Sequence, residues 1–256
     1  MTIFDAVILG IVEGITEFLP VSSTAHLILV SQLLHVEQNS FMNSFNIIIQ
    51  IAPIFSVMII YRDRLIQNYE LWKKLIISFI PTGAVGFLFH NQIEQFFHAN
   101  STIALMILTG MAFLLVEYFF KEKEHFVSDI NQVSTKQAIY VGLFQVLALV
   151  PGVSRSGSTI LGGVLVGLKR DVAMSFSFLL AIPTMGAASG YMLLKEYSTL
   201  SFEHSLLLAV GFIVSFIVGW IAIKSFLAIV SKYSFVPFGW YLVLAGLAFG
   251  LLNIQM

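Results

Sequence analysis

Apolar runs separated by short polar stretches set out this chain. Six runs approach the roughly 20 residues that an α-helix needs to cross a bilayer: 41–61, 75–89 with its flanks, 102–120, 172–194, 205–223 and 235–252. Four further runs are too short or too polar to cross, and they fall into pairs. Residues 4–19 and 21–34 meet at Pro20, and residues 137–150 and 156–168 meet at Pro151-Gly152. Two half-length helices joined by such a break predict a re-entrant hairpin, which enters the membrane and leaves by the same side. Irregular backbone at that depth is tolerated only where it is buried in protein or lines a wet cavity. The pattern therefore predicts an all-α polytopic membrane protein, with six transmembrane helices and two re-entrant hairpins (4–34 and 137–168) in one membrane domain over 1–256.

Composition agrees and excludes other classes. Hydrophobic residues make up 58% of the chain and charged residues 11%, with a mean hydropathy of +0.91. A soluble domain carries about 25% charged residues, so a water-soluble enzyme is excluded. The net charge of −1 and the lack of a basic block argue against nucleic acid as a partner. With no cysteine, disulfides and thiolate metal sites are impossible. The first 20 residues contain Glu13 and Glu17 and lack a basic start and a small-residue cleavage site, so they are expected to be mature structure.

The positions of the basic residues orient the chain. If both hairpins return to their own side, eleven of the 13 basic residues fall in 62–74, 121–136, 169–171 and 224–234, whereas the opposite set of connections and termini holds only Lys195. Cytoplasmic loops collect Lys and Arg, which places both termini outside the cytoplasm. The remaining basic residue, Arg155, sits at the second break. Each half of the chain is then a hairpin plus three crossings. Because three is odd, the halves 1–120 and 137–252 form an inverted-topology repeat, which brings the two hairpin tips together near the midplane as the expected site. A shift of 132 residues pairs Gly10 with Gly142, Glu13 with Gln145 and Ser22 with Ser154.

Away from the outer ends of the six spans and two hairpins, four ionisable residues remain: Glu13, Glu17, His26 and Arg155. A charge at the bilayer centre costs at least about 2.5–3.5 kcal/mol, which makes such residues functional candidates. Glu13 and Glu17 are one helical turn apart, where two carboxylates repel unless a cation or shared proton intervenes. The pair suits a divalent ion such as Mg²⁺ or Ca²⁺, or acid/base work. After Pro20 come Ser22, Ser23, Thr24 and His26, which offer a nucleophilic hydroxyl and a proton acceptor one turn away, although hydroxyls in that position also serve as helix caps. His35, His90, His98, His125 and His204 fall in or beside loops and are read as solvated. The second break, Pro151-Gly-Val-Ser154-Arg155-Ser156-Gly157-Ser158-Thr159, combines helix N-terminal amides, hydroxyls and a planar guanidinium. It lacks the Gly-Lys-Ser/Thr ending of a Walker loop, yet it is an anion cradle suited to phosphate.

Glu13-Gly-Ile-Thr-Glu17-Phe-Leu-Pro-Val-Ser-Ser-Thr-Ala-His26, Pro151-Gly-Val-Ser-Arg-Ser-Gly-Ser-Thr159 and Ser177-Phe-Leu-Leu-Ala-Ile-Pro183 together closely resemble the bacitracin-resistance type of undecaprenyl-diphosphate phosphatases. The resemblance spans nearly the whole chain. It implies a bacterial inner-membrane hydrolase, dependent on a divalent cation (Mg²⁺ or Ca²⁺). Its active site would be reached from the outer, periplasmic face and would convert undecaprenyl diphosphate to the carrier used in peptidoglycan synthesis. Bacitracin would then compete for the lipid substrate without binding the protein. Carried over residue by residue, the resemblance assigns Glu13 and Glu17 to the metal and Glu17, Ser23, His26 and Arg155 to catalysis. Ser22, Ser154, Arg155, Ser156 and Thr159 would bind the substrate phosphates. Asn46, where an acidic residue is expected, and Pro53 depart from the pattern.

Two routes remain open at this stage: Ser23 attacks phosphorus with His26 or Glu17 taking its proton, or an activated water attacks directly. A transporter or flippase for an anionic polyprenyl lipid or solute is the alternative, because broken helices in inverted repeats are common in transporters. The glycine-rich helices at 205–223 and 239–250 suit packing within one chain or in a homodimer.

Overall fold

The computed structural model describes residues 1–37, 39–89, 92–93, 99–196, 205–230 and 234–251. His90, His98 and His204, named above, lie outside these. The described residues form helices α1 (Ile3–Thr16), α2 (Ser23–Leu33), α3 (Ser40–Ile60), α4 (Arg62–Gln67), α5 (Tyr69–Leu88), α6 (Ala99–Phe119), α7 (Thr135–Val146), α8 (Arg155–Leu165), α9 (Arg170–Glu196), α10 (Ser205–Val230) and α11 (Val236–Leu251). Five of them, α3, α5, α6, α9 and α10, are long and apolar enough to cross a membrane. The sixth expected span corresponds to α11, which has 16 residues. Ile213, Ile217 and Ile221 on α10 and Trp240, Leu244 and Leu247 on α11 are exposed, as suits a lipid-facing surface. This is a multi-pass membrane protein.

Helix α9 is the central element. From Phe176 to Ala181 every residue is buried, and a helix that is apolar all round belongs in an interior. At one end of the bundle, the Arg170 guanidinium donates from Nε and Nη2 to the two oxygens of Glu117, at 2.9 and 2.8 Å, and contacts Glu122 at 3.3 Å. Glu117 also accepts the Phe235 backbone N–H, so one ion cluster joins the end of α6 to the starts of α9 and α11.

Lipid tails are as apolar as leucine, so helices in a membrane associate by close packing, which small residues permit. Gly10 and Gly14 of α1 face Gly211, Ser215 and Gly219 of α10; a Cβ on Gly14 would lie 2.8 Å from the Ser215 carbonyl oxygen and the Gly219 nitrogen. In α7, a Cβ on Gly142 would overlap the Ser78 carbonyl of α5, and Gly110 of α6 meets Gly239 of α11. These small residues are thus used within the chain. Pro53 lies inside α3 without ending it. A helical proline leaves the carbonyl four residues earlier without its N–H donor, here that of Ile49, and the Ser215 hydroxyl donates to that carbonyl at 2.8 Å. Gly219 gives Pro53 room, since a Cβ there would lie 3.0 Å from the proline ring.

Two substitutions test this packing. Ser215→Ala leaves the Ile49 carbonyl unsatisfied and should lower stability by about 1 kcal/mol in denaturant titrations of the micelle-bound protein. Gly14→Leu forces α1 off α10 and should prevent recovery of folded protein.

Candidate active site

Both chain breaks end on a helix N-terminus. Helix α1 closes at Glu17, and a turn through Pro20 leads to Ser22, which adopts a left-handed conformation (φ 68°, ψ 84°) before α2 starts at Ser23. In the second break, α7 runs into a 3₁₀ turn, Leu147–Leu149, and Gly152 has φ 93°, packed against the Thr102 carbonyl where no Cβ fits. Ser154 then caps α8, its hydroxyl accepting the Gly157 N–H at 3.0 Å.

The two breaks meet at a polar cavity of about 120 Å³ lined by Glu17, Ser22, Ser23, Thr24, Gln50, Ala148, Val153, Ser154, Arg155 and Met185. One Glu17 oxygen pairs with Arg155 Nη2 at 2.8 Å, and the other accepts the Ser23 hydroxyl at 2.7 Å. Arg155 Nη1 donates to the Ser177 carbonyl at 3.2 Å, and its guanidinium lies 5.3 Å from the centre of the buried Phe18 ring. Its buried Nε–H has no partner, so one donor of the fork is unused. The N-terminal ends of α2, which has no side-chain cap, and of α8 add partial positive charge. A hydroxyl on a carboxylate, a fixed guanidinium and two helix N-termini around one cavity can hold an anion and transfer a proton.

Not every residue expected at the site lines it. Ser156 is buried and donates to the Leu19 carbonyl at 3.0 Å, tying α8 to the first break. Thr159, also buried, bonds to the Arg155 carbonyl and lies 2.6 Å from the Ser177 hydroxyl. Both are turned from the cavity because α8 keeps only its first residues at the rim. His26 differs most from expectation. Its Nδ1 lies 2.9 Å from the Ser22 carbonyl and its Nε2 2.6 Å from the Tyr241 hydroxyl, so neither nitrogen is free to take the Ser23 proton. Gln50, Met185 and Tyr241 were not singled out from sequence. Gln50 carried a usable signal, an amide in an apolar span.

Glu13 lies one turn behind Glu17, fully buried, and neither carboxylate oxygen has a hydrogen-bond partner. Among the described residues, no third His, Asp or Glu joins the pair into a metal cage. Mg²⁺ typically keeps several waters and uses one or two carboxylates together with substrate phosphate, and this donor set fits that mode. Asn46, one turn from Gln50 on α3, also has an unpartnered buried oxygen.

The fold is that of a polytopic membrane protein with a polar, charged cavity where its two broken helices meet. Residues 6–248 match the model of the bacitracin resistance protein BacA family, and the chain belongs to that family. It is 49% identical to an undecaprenyl-diphosphatase of Wolinella succinogenes, over 97% of each chain. It is 47% identical to one of Persephonella marina, over 97% of this chain and 98% of that one, and 48% identical to one of Methanococcus aeolicus, over 96% of each.

Removing one member of a buried ion pair strands the other charge, at roughly 3–5 kcal/mol. Arg155→Ala should therefore destabilise the protein strongly, while Glu17→Gln with Arg155→Gln should recover most of that loss in the same denaturant titration.

Proposed function

We propose that this protein is an undecaprenyl-diphosphate phosphatase that releases inorganic phosphate and leaves undecaprenyl phosphate. The observation that carries the reading is the Ser23 hydroxyl donating to Glu17 at 2.7 Å while Arg155 holds the other Glu17 oxygen. Ser23 Oγ attacks the terminal phosphorus as Glu17 takes its proton. The bond from that phosphorus to the bridging oxygen breaks, and undecaprenyl phosphate leaves. Water then hydrolyses the phosphoserine, giving inorganic phosphate and free Ser23. Arg155, Ser22, Ser154 and the amides at the starts of α2 and α8 bind the phosphate oxygens, because positioning and charge stabilisation carry most of phosphoryl transfer. Glu13, with Glu17 beside it, would hold a divalent cation, Mg²⁺ or Ca²⁺, which when bound would offset phosphate charge.

The polyprenyl chain lies in an apolar groove of about 340 Å³ between α6, α7 and α8, lined by Leu105, Ala112, Phe144 and Leu161 among others. Val153 lines both groove and cavity, so headgroup and tail sites are continuous.

The architecture is an inverted-topology repeat, 1–120 and 137–252, with two re-entrant hairpins and α11 as the sixth span. Two observations support it: α1 packs on α10 as α7 packs on α5, and Gly10 and Gly142, paired by the 132-residue shift, are the close contacts of the two pairs. We infer that the protein sits in the bacterial cytoplasmic membrane with both termini and the cavity opening outside; the gathering of eleven basic residues in 62–74, 121–136, 169–171 and 224–234 supports that orientation.

Purified protein in detergent with Mg²⁺ or Ca²⁺ should release phosphate from undecaprenyl diphosphate and stop on chelation. A protein that binds the lipid but releases nothing would instead be a carrier. Ser23→Ala should abolish turnover, and phosphoserine at Ser23 should be trapped on rapid acid quench; near-normal turnover in Ser23→Ala would leave water as nucleophile. Arg155→Lys keeps the charge but loses the fork, and should lower kcat/KM about a hundredfold. Ala112→Trp should raise KM for the C55 substrate more than for a short prenyl diphosphate.

A further inference from the structure

Tyr241 of α11 belongs to neither motif and does not line the polar cavity, yet it holds the outer nitrogen of His26. We infer that Tyr241 is a positioning residue for the reaction, acting through His26 to fix the turn that presents Ser22 and Ser23; this rests on the phosphatase reading of the cavity. The Tyr241 and His26 rings stack at 5.6 Å with planes 11° apart, and Phe249, also on α11, meets the imidazole edge-on at 6.0 Å.

The proton arrangement follows from the partners. A carbonyl oxygen only accepts, so the His26 nitrogen facing Ser22, Nδ1, carries the proton. The neutral ring then presents a lone pair at Nε2, and the Tyr241 hydroxyl at 2.6 Å donates to it. The Ser22 carbonyl accepts twice from His26, from Nδ1–H at 2.9 Å and from the backbone N–H at 3.3 Å. Those two bonds hold Ser22 at φ 68°, a conformation that a residue with a Cβ keeps only where its surroundings enforce it. The next residue is Ser23, whose hydroxyl must point at Glu17. Without the tyrosine hydroxyl, Nε2 has no donor. The other tautomer, with its proton on Nε2, turns a lone pair against the Ser22 carbonyl and loosens the turn.

Tyr241→Phe keeps the stacked ring and removes only the hydroxyl. The expected result is a fall in kcat of roughly tenfold or more with KM within about twofold, because Arg155, Ser154 and the amides of α8, which carry most of the phosphate binding, are untouched. In a His26→Gln background the same substitution should change kcat by less than about twofold. No loss in the first background, or an equal loss in both, overturns the proposal. Nitrogen-15 NMR of labelled imidazole in the unsubstituted protein reads the tautomer directly, with the His26 signal identified by its absence in His26→Gln. The expected ring has its proton on Nδ1 and a bare Nε2, and a proton on Nε2 overturns the proposal whatever the kinetics. This readout needs no turnover, so a protein that releases no phosphate would sink the phosphatase reading without touching the tautomer result.

Discussion

The ion pair between Glu17 and Arg155 joins the two broken-helix segments, whose partners lie 138 residues apart in the chain. An isolated charge at this depth is expensive, and the pair is tolerable only because each member is further satisfied, Glu17 by the Ser23 hydroxyl and Arg155 by the Ser177 carbonyl and the face of Phe18. That requirement fixes more than two side chains. The end of α1, the starts of α2 and α8 and the middle of α9 must all be in register for the network to close. Buried pairs of this kind seldom add net stability over apolar packing. Their use here is specificity: other packings of these apolar helices would leave a charge stranded.

Close backbone packing makes that register possible. Helix α10 carries almost no polar group, but its small residues at 211, 215 and 219 let α1 approach on one side and α3 on the other. The same helix repairs the hydrogen bond that Pro53 removes from α3, through Ser215. Holding α1 firmly matters because Glu13 and Glu17 project from its last turns, and a carboxylate displaced by an ångström would lose both Arg155 and Ser23.

Much of this was legible in sequence because a membrane imposes length and polarity rules that few sequences meet by accident. The breaks at Pro20 and Pro151-Gly152 and the half-length helices around them emerge at the expected places, and Glu17, Ser22, Ser23, Ser154 and Arg155 converge. Roles assigned by residue type fared less well. Ser156, Thr159 and His26 look like phosphate ligands and a base, but helical rotation turns the first two into the interior and Tyr241 occupies the third. For Ser156 and His26 the orientation depends on partners over 130 and 200 residues away, Leu19 and Tyr241, which local spacing cannot report. Gln50 carries no charge to mark it, although a neutral amide in a span also bears a desolvation cost, smaller than that of an ion.

The two halves differ where a strict repeat would make them alike. Gln145, the counterpart of Glu13 under the 132-residue shift, is fully buried, but its amide donates to Thr82 and accepts from Thr184. It is a neutral group with both ends satisfied, and it does structural work on α7. Glu13 occupies the matching place on α1 with neither oxygen partnered. A fold selected for stability alone would have no reason to keep an acid there when an amide and two threonines close the equivalent gap. If a cation binds here, the unpaired oxygens of Glu13 are the acceptors open to it, because both Glu17 oxygens are already taken by Arg155 and the Ser23 hydroxyl.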